Sequence, residues 1–70
     1  MSDLRTLIGR NVRAERARAG LRQVDLAQAV GMPRSTLAAV EAGRRRVYVE
    51  EAVALAKALD VDLRTLLGEA

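Results

Sequence analysis

Three glycines, eleven and twelve residues apart, divide much of this chain into short segments. Gly20, Gly31 and Gly43 each follow a stretch in which apolar residues recur at three- and four-residue spacing, the pattern of an amphipathic helix. Glycine adopts the left-handed backbone conformation in which many helices end. The chain therefore predicts a series of short helices joined by short connections.

We expect five helices. Ser2 or Asp3 can cap the first, and Asp62 can cap a last turn. Pro33 suits the start of the third helix, because proline lacks the N–H that the first turn would leave without a partner. The expected bounds are residues 3–19, 23–30, 33–42, a fourth helix ending near residue 60, and a last turn over residues 62–67.

No segment alternates polar and apolar residues for long enough to predict a strand, and the β-branched run Val47 to Val49 is short and isolated. Short connections at Gly20 and Gly31 require neighbouring helices to pack together at once. Residues 1–70 are therefore expected to form a single all-α domain, in which Ala27 must be small where helices two and three cross. The predicted core is Leu7, Ile8, Val12, Leu21, Leu26, Ala27, Val30, Leu37, Val40, Leu55, Ala56, Leu59, Leu63 and Leu66.

The composition disfavours an enzyme. Seventy residues leave little core to enclose a substrate pocket. The chain has no Cys and no His, so it lacks thiolate nucleophiles, disulfides and the commonest metal ligand and general base. Its carboxylates are scattered and suit helix caps and solvated faces. We expect no catalytic residue, no metal site and no cofactor.

Positive charge is concentrated in the first two-thirds of the chain. Residues 1–49 carry ten Arg against four acids, a balance of +6, whereas residues 50–70 carry two basic residues against five acids, a balance of −3. Such a basic region attracts polyanions. Tyr48 is the sole aromatic residue, so stacking platforms for single-stranded nucleic acid are nearly absent and a duplex is favoured over a single strand.

No run of about 18 apolar residues spans a membrane, and charged residues interrupt the place where a signal peptide would need an apolar stretch. A basic amphipathic helix over residues 4–19 could lie on a membrane surface, but the core needs its apolar stripe. We expect a cytoplasmic protein without a membrane partner.

Residues 20–46, GLRQVDLAQAVGMPRSTLAAVEAGRRR, resemble the Cro/phage-repressor, or Xre-like, class of helix-turn-helix transcriptional regulators. The similarity continues through AKALDVDLRTLL and covers about residues 6–67. It implies a compact five-helix lambda-repressor-like fold, with helices two and three forming the helix-turn-helix at about residues 23–42. The positions that carry it are Gly20, Leu21, Gln23, Leu26, Ala27, Gly31, Leu37, Val40, Glu41 and Gly43.

Two positions depart from the family pattern. Val47 and Tyr48 stand where the family commonly has Pro and then a Ser or Thr that caps helix four, so that helix is expected to start differently. Asp60 stands where Gly is usual. Aspartate visits left-handed conformations at modest cost, and this change is expected to be neutral.

The resemblance makes the third helix the one that enters the major groove. Its outward positions are Arg34, Ser35, Ala38 and Ala39, the candidate base-reading residues. Arg34 can bind guanine O6 and N7 with two hydrogen bonds, and the alanines can touch a thymine methyl. The alternative for Arg34 is a contact with phosphate or solvent.

Five further residues are candidate phosphate contacts. Gln23 occupies the family position that binds phosphate where the second helix begins, and the N–H groups there favour an anion. A solvated arginine run is the alternative for Arg44, Arg45 and Arg46. The candidates are Arg22, Gln23, Thr36, Arg44 and Arg46.

Arg16 and Glu41 stand where the family usually has an ion pair between the first helix and the end of the third. The resemblance thus gives them a structural role, holding the recognition helix against the scaffold.

Two functions remain open. The first is a sequence-specific regulator, expected to be a repressor, that binds double-stranded DNA as a homodimer on a palindromic operator. Val49, Val53 or Leu67 would form its dimer interface. The second is an antitoxin or adaptor that uses the same fold to hold a protein partner, whose identity the sequence does not give.

Overall fold

The computed structural model describes residues 3–69, and none of them lies in a strand. They form five helices: α1 (Leu4–Arg18), α2 (Gln23–Val30), α3 (Arg34–Glu41), α4 (Val49–Leu59) and α5 (Leu63–Leu66). The predicted all-α class and order of helices are confirmed. Ser2, one of the two predicted caps of α1, lies outside the described residues. Within residues 3–69, no helix is long and apolar enough to cross a lipid bilayer.

Local capping explains where these helices begin and end. The carboxylate of Asp3 accepts a hydrogen bond from the backbone N–H of Arg5 at 2.9 Å, and Asp62 accepts one from Arg64 at 2.8 Å. Gly31 closes α2 with a φ of 71°. Asp60 closes α4 in the same left-handed region, with a φ of 57°, so it takes over the conformation for which glycine is usual.

The core lies where the helices meet. α1 packs on α3, α2 packs on α3 and α4, and α5 closes the other side of the bundle against α1 and α4. The largest fully buried side chains are Leu26, Leu37, Leu55, Leu66, Val12 and Val40, all from the predicted core. Four other predicted members are half-buried because they lie at its edge: Leu7, Leu21, Val30 and Leu63. Ala52 is buried but was not on the predicted list.

Candidate nucleic-acid interface

Helix α3 begins at Arg34. Pro33 precedes it with an extended backbone, φ −60° and ψ 146°, which matches the fixed φ of proline. Arg34 and Ser35 occupy the first turn, and both are exposed. Among residues 3–69, no protein atom bonds to the Arg34 guanidinium or the Ser35 hydroxyl. Two hydrogen-bonding side chains are therefore available at this end of the helix.

The two faces of α3 differ sharply. Leu37 and Val40 are 0% exposed and fix the inner face in the core. Ala38 and Ala39 are half-buried and present only methyl groups on the outer side. Thr36 is half-buried as well. On the outer side of α3, the one long polar side chain is thus Arg34, at the beginning of the helix.

A network of hydrogen bonds holds the end of α3 against α1. Arg16 Nε donates to Glu41 Oε2 at 2.7 Å, and Arg16 Nη2 donates to Oε1 at 3.0 Å. The Glu41 side chain is only 4% exposed. A third donor of Arg16, Nη1, bonds to the Leu21 carbonyl oxygen at 2.9 Å. The bonds to Glu41 raise the pKa of the Arg16 guanidinium above its ordinary value. Together with the bond to Leu21, they tie α1, α3 and the α1–α2 turn to one another.

Gln23 joins this network from the first position of α2. Its Nε2 donates to Glu41 Oε1 at 3.1 Å. One amide hydrogen is used in that bond, which leaves the second hydrogen for a ligand. The backbone N–H groups of Gln23 and Val24 are also left, whereas those of Asp25 and Leu26 donate to the Arg22 carbonyl oxygen. Glu41 therefore fixes the orientation of the Gln23 side chain, which the sequence analysis predicted to bind phosphate.

Gly9 allows α1 and α3 to approach each other closely. A Cβ atom at this position would lie 2.2 Å from the Val40 carbonyl oxygen and 3.0 Å from the Glu41 carbonyl oxygen. No side chain fits there without moving one helix. Sequence reasoning missed this residue, although a glycine inside a helical pattern costs about 1 kcal/mol and is a recognisable signal. Gly9, Arg16, Val40 and Glu41 together form what we call the α1–α3 junction.

Arg22 lies at the start of α2 but is already paired. Its Nε and Nη2 each donate to the Asp25 carboxylate at 3.0 Å. Asp25 also accepts the Arg22 backbone N–H at 2.9 Å, which closes the first turn. These hydrogen bonds lower the pKa of Asp25. A phosphate contact by Arg22 would have to share its guanidinium with Asp25.

The arginine run after α3 does not behave as one unit. Arg44 and Arg46 are exposed, whereas Arg45 donates to both Glu51 carboxylate oxygens at 2.9 Å. The Glu51 carboxylate also accepts the Tyr48 backbone N–H at 3.0 Å, and the Arg45 guanidinium lies 5.9 Å from the Tyr48 ring centre. Glu51 thus closes the first turn of α4, where the family's capping Ser or Thr is missing.

The arginines fall into two groups, according to whether a carboxylate oxygen lies within 4.0 Å of a guanidinium nitrogen. Among residues 3–69, six arginines are paired in this way and five are not. The unpaired arginines are Arg10, Arg13, Arg34, Arg44 and Arg46. Three of these were nominated from the sequence, and Arg10 and Arg13 were missed because pairing depends on the fold.

A concave groove of about 300 Å³ lies between α1, α2 and α3; we call it the α1–α3 groove. It brings together the predicted residues Gln23 and Ala38 with the Arg16–Glu41 pair. Arg46 is not part of it, and lines a second groove beside Leu4 and Ile8 instead. The lining residues of the α1–α3 groove are Arg13, Arg16, Gln23, Ala38, Glu41 and Ala42.

Comparison with known proteins agrees with this geometry. The family model HTH_3, described as helix-turn-helix, matches residues 12–66. The chain belongs to the HTH_3 helix-turn-helix family. HTH_3 proteins of the Xre type are DNA-binding transcription regulators and not enzymes, which confirms the resemblance and the non-enzymatic class predicted from the sequence. No curated protein matches the chain.

Solved structures of related proteins superimpose closely on this HTH_3 domain. The restriction-modification controller protein C.AhdI from Aeromonas hydrophila is 37% identical, with 89% of this chain and 94% of that chain covered and a TM-score of 0.85. The hypothetical transcription factor NHTF from Neisseria is 34% identical, with coverages of 93% and 75% and a TM-score of 0.88. The clp gene regulator ClgR from C. glutamicum is 29% identical, with coverages of 99% and 90% and a TM-score of 0.92.

Proposed function

We propose that this protein is a repressor that binds a palindromic operator as a homodimer, with α3 of each copy in the major groove. Because a regulator of this kind acts on DNA in the nucleoid, the proposal also places the protein in the cytoplasm. The observation that carries it is the contrast between the two faces of α3: an apolar inner face fixed in the core, and an outer face that begins with two exposed polar side chains. Its similarity to a controller protein over most of both chains supports the regulatory role.

In this proposal Arg34 reads guanine and Ser35 accepts or donates a second hydrogen bond to a base. A bidentate contact between arginine and guanine O6 and N7 is worth about 1–3 kcal/mol of discrimination. Ala38 and Ala39 contribute contacts with thymine methyl groups. Because these alanines reach no base edge by hydrogen bonding, DNA shape is expected to supply part of the specificity.

The remaining candidates hold the DNA backbone. Arg44 and Arg46 are exposed, and no carboxylate of residues 3–69 lies within 4.0 Å of either guanidinium. Gln23 lies where the N–H groups and dipole of α2 favour an anion. Thr36 and Arg22 complete the proposed phosphate contacts, with Arg22 sharing its charge with Asp25. A homodimer would place two half-sites about 34 Å apart, one turn of the double helix.

Selection of bound duplexes from a random pool tests the proposal. The wild-type protein should enrich a two-fold symmetric site. Arg34→Ala should relax the preference at one symmetric position, because one side chain per copy reads one base pair. Arg64→Ala removes the same charge from α5, which packs on α1 and α4, and serves as the control that keeps the full preference.

Two outcomes count against this assignment. If Arg34→Ala weakens binding but leaves the preference intact, Arg34 contacts phosphate instead of a base. If the wild-type protein enriches no site at all, sequence-specific binding is wrong.

A further inference from the structure

Beyond Arg34, α3 carries no long polar side chain on its outer face. Ala38 and Ala42 follow Arg34 by one and two turns, about 6 and 12 Å further along the helix axis. Methyl groups cannot bind a phosphate. If α3 alone contacted the DNA, its end would have nothing with which to hold the backbone.

Arg13 stands beside this end of the helix although it belongs to α1. It lines the α1–α3 groove together with Ala38 and Ala42. The short alanine side chains leave this groove open above α3. Arg13, on the neighbouring helix, therefore supplies a hydrogen-bond donor at the end of α3, where the outer face of α3 has none.

The electrostatics of the groove point to an anion. Glu41 neutralises Arg16 through two hydrogen bonds, and Gln23 is uncharged. Arg13 is exposed, and no carboxylate lies within 4.0 Å of its guanidinium among residues 3–69. Arg13 is thus the one uncompensated charge among the six residues that line the groove.

The dimensions of DNA favour a phosphate over a base as its ligand. The major groove is about 12 Å wide, and a helix with its side chains is about 10–12 Å across. The sugar–phosphate backbones therefore run along the flanks of a helix that lies in the groove. A cation held on an adjacent helix meets a phosphate before it can reach a base edge.

We propose that Arg13 binds a DNA backbone phosphate at the end of α3 opposite Arg34, and so sets the angle at which α3 lies in the major groove. This inference rests on the proposed DNA-binding function. It adds a contact from α1 to an interface otherwise made by α2, α3 and the loop after α3.

Salt dependence of binding tests this contact. The affinity for the selected duplex and for a scrambled duplex of equal length would be measured between 50 and 300 mM salt. The logarithm of the affinity falls linearly with the logarithm of the salt concentration. Loss of one phosphate contact makes this slope shallower by about 0.9 and weakens binding about fivefold at 0.15 M salt. Arg13→Ala should show both changes on both duplexes while its base preference stays unchanged.

Arg18→Ala is the matched control. Arg18 lies on the same helix, about 140° around the axis from Arg13, and pairs with Glu15 at 3.4 Å. Removing it changes the net charge equally and should leave the slope unchanged. Arg13→Lys keeps the charge and should restore most of the slope. Thermal melts would show whether each variant is folded.

The outcomes separate this inference from the proposed function. If the wild-type protein binds with a steep slope and Arg13→Ala keeps it, or if Arg18→Ala lowers the slope as much, Arg13 contacts no phosphate and the DNA-binding proposal stands. If the wild-type slope is itself flat, both proposals are wrong.

Discussion

Two arginine–glutamate pairs, each with two hydrogen bonds from the guanidinium to the carboxylate, lie in different regions of this molecule. Arg16–Glu41 joins residues 25 positions apart and links α1 to α3, whereas Arg45–Glu51 joins residues six positions apart at the start of α4. The Glu41 side chain is 4% exposed and the Glu51 side chain is 25% exposed. The first pair fixes how two helices sit against each other, and the second shapes a local turn.

The difference in burial predicts a difference in energy. Removing one partner of a buried pair costs about 3–5 kcal/mol, because the other charge remains without a partner in a poorly solvated place. A pair that water reaches contributes about 0–1 kcal/mol. The two pairs contain the same chemical groups, so their different contributions to stability come from their different exposure to water.

Breaking the buried pair should have the largest effect. Glu41→Ala leaves the Arg16 charge without its carboxylate and removes the acceptor of Gln23, so we expect a loss of about 3–5 kcal/mol, enough to unfold much of a small domain. Urea or thermal unfolding followed by circular dichroism measures it. A melting temperature within a degree or two of the wild type would contradict the structural role of this pair.

The α1–α3 junction can also be broken from its other side. Alanine is a better helix former than glycine by about 0.5–1 kcal/mol, so propensity alone predicts that Gly9→Ala stabilises α1. Because the added Cβ would meet the Val40 carbonyl oxygen, we expect a loss of about 1–3 kcal/mol instead.

The sign of this change, measured by urea unfolding, decides between propensity and packing. Ala14→Gly, at an exposed position of the same helix, calibrates the propensity and should cost about 0.5–1 kcal/mol. A Gly9→Ala protein more stable than the wild type would mean that α1 and α3 are not in close contact at this residue.

Disruption of the more exposed pair, Arg45–Glu51, should have the smallest effect. Glu51→Gln keeps an acceptor for the Tyr48 N–H but removes the charge that binds Arg45, so we expect a loss of at most about 1 kcal/mol at neutral pH. Equal losses for Glu51→Gln and Glu41→Gln would remove the distinction between the two regions.

The pH dependence of stability tests the contribution of the Glu51 charge separately. Hydrogen bonds from Arg45 hold the pKa of Glu51 below its ordinary value of 4.5. The stabilisation is therefore complete above pH 4.5 and is lost as the pH falls through the lower folded-state pKa. Wild type and Glu51→Gln should differ at neutral pH and converge in acid; an unchanged difference at low pH would assign the effect to something other than this charge.

Local sequence signals predicted the helices well because their causes are local. Gly31 and Pro33 act through their own backbone conformations, and Asp62 caps a turn two residues away. The position of Arg34 on the outer face also followed from helical spacing and the family resemblance. Such features need no knowledge of which distant segment packs against them.

Tertiary contacts that the family resemblance did not imply were missed. The need for glycine at position 9 arises from the carbonyl oxygens of α3, about thirty residues away in the chain. Likewise, nothing local distinguishes Arg45, which pairs with Glu51, from Arg13, which has no carboxylate within reach among residues 3–69. The sequence identified a basic region, and only the fold shows which arginines remain available for an anion.

In our proposal the outer side of α3, together with the α1–α3 groove, is the surface that meets duplex DNA. Chemical-shift mapping of the backbone amides, as the selected duplex is added to the folded protein, would locate this surface. We predict that the largest changes fall on the first turns of α2 and α3, on Ala38 and on Arg13. Duplex binding that leaves the α3 amides unchanged would mean that another surface of the protein binds the DNA.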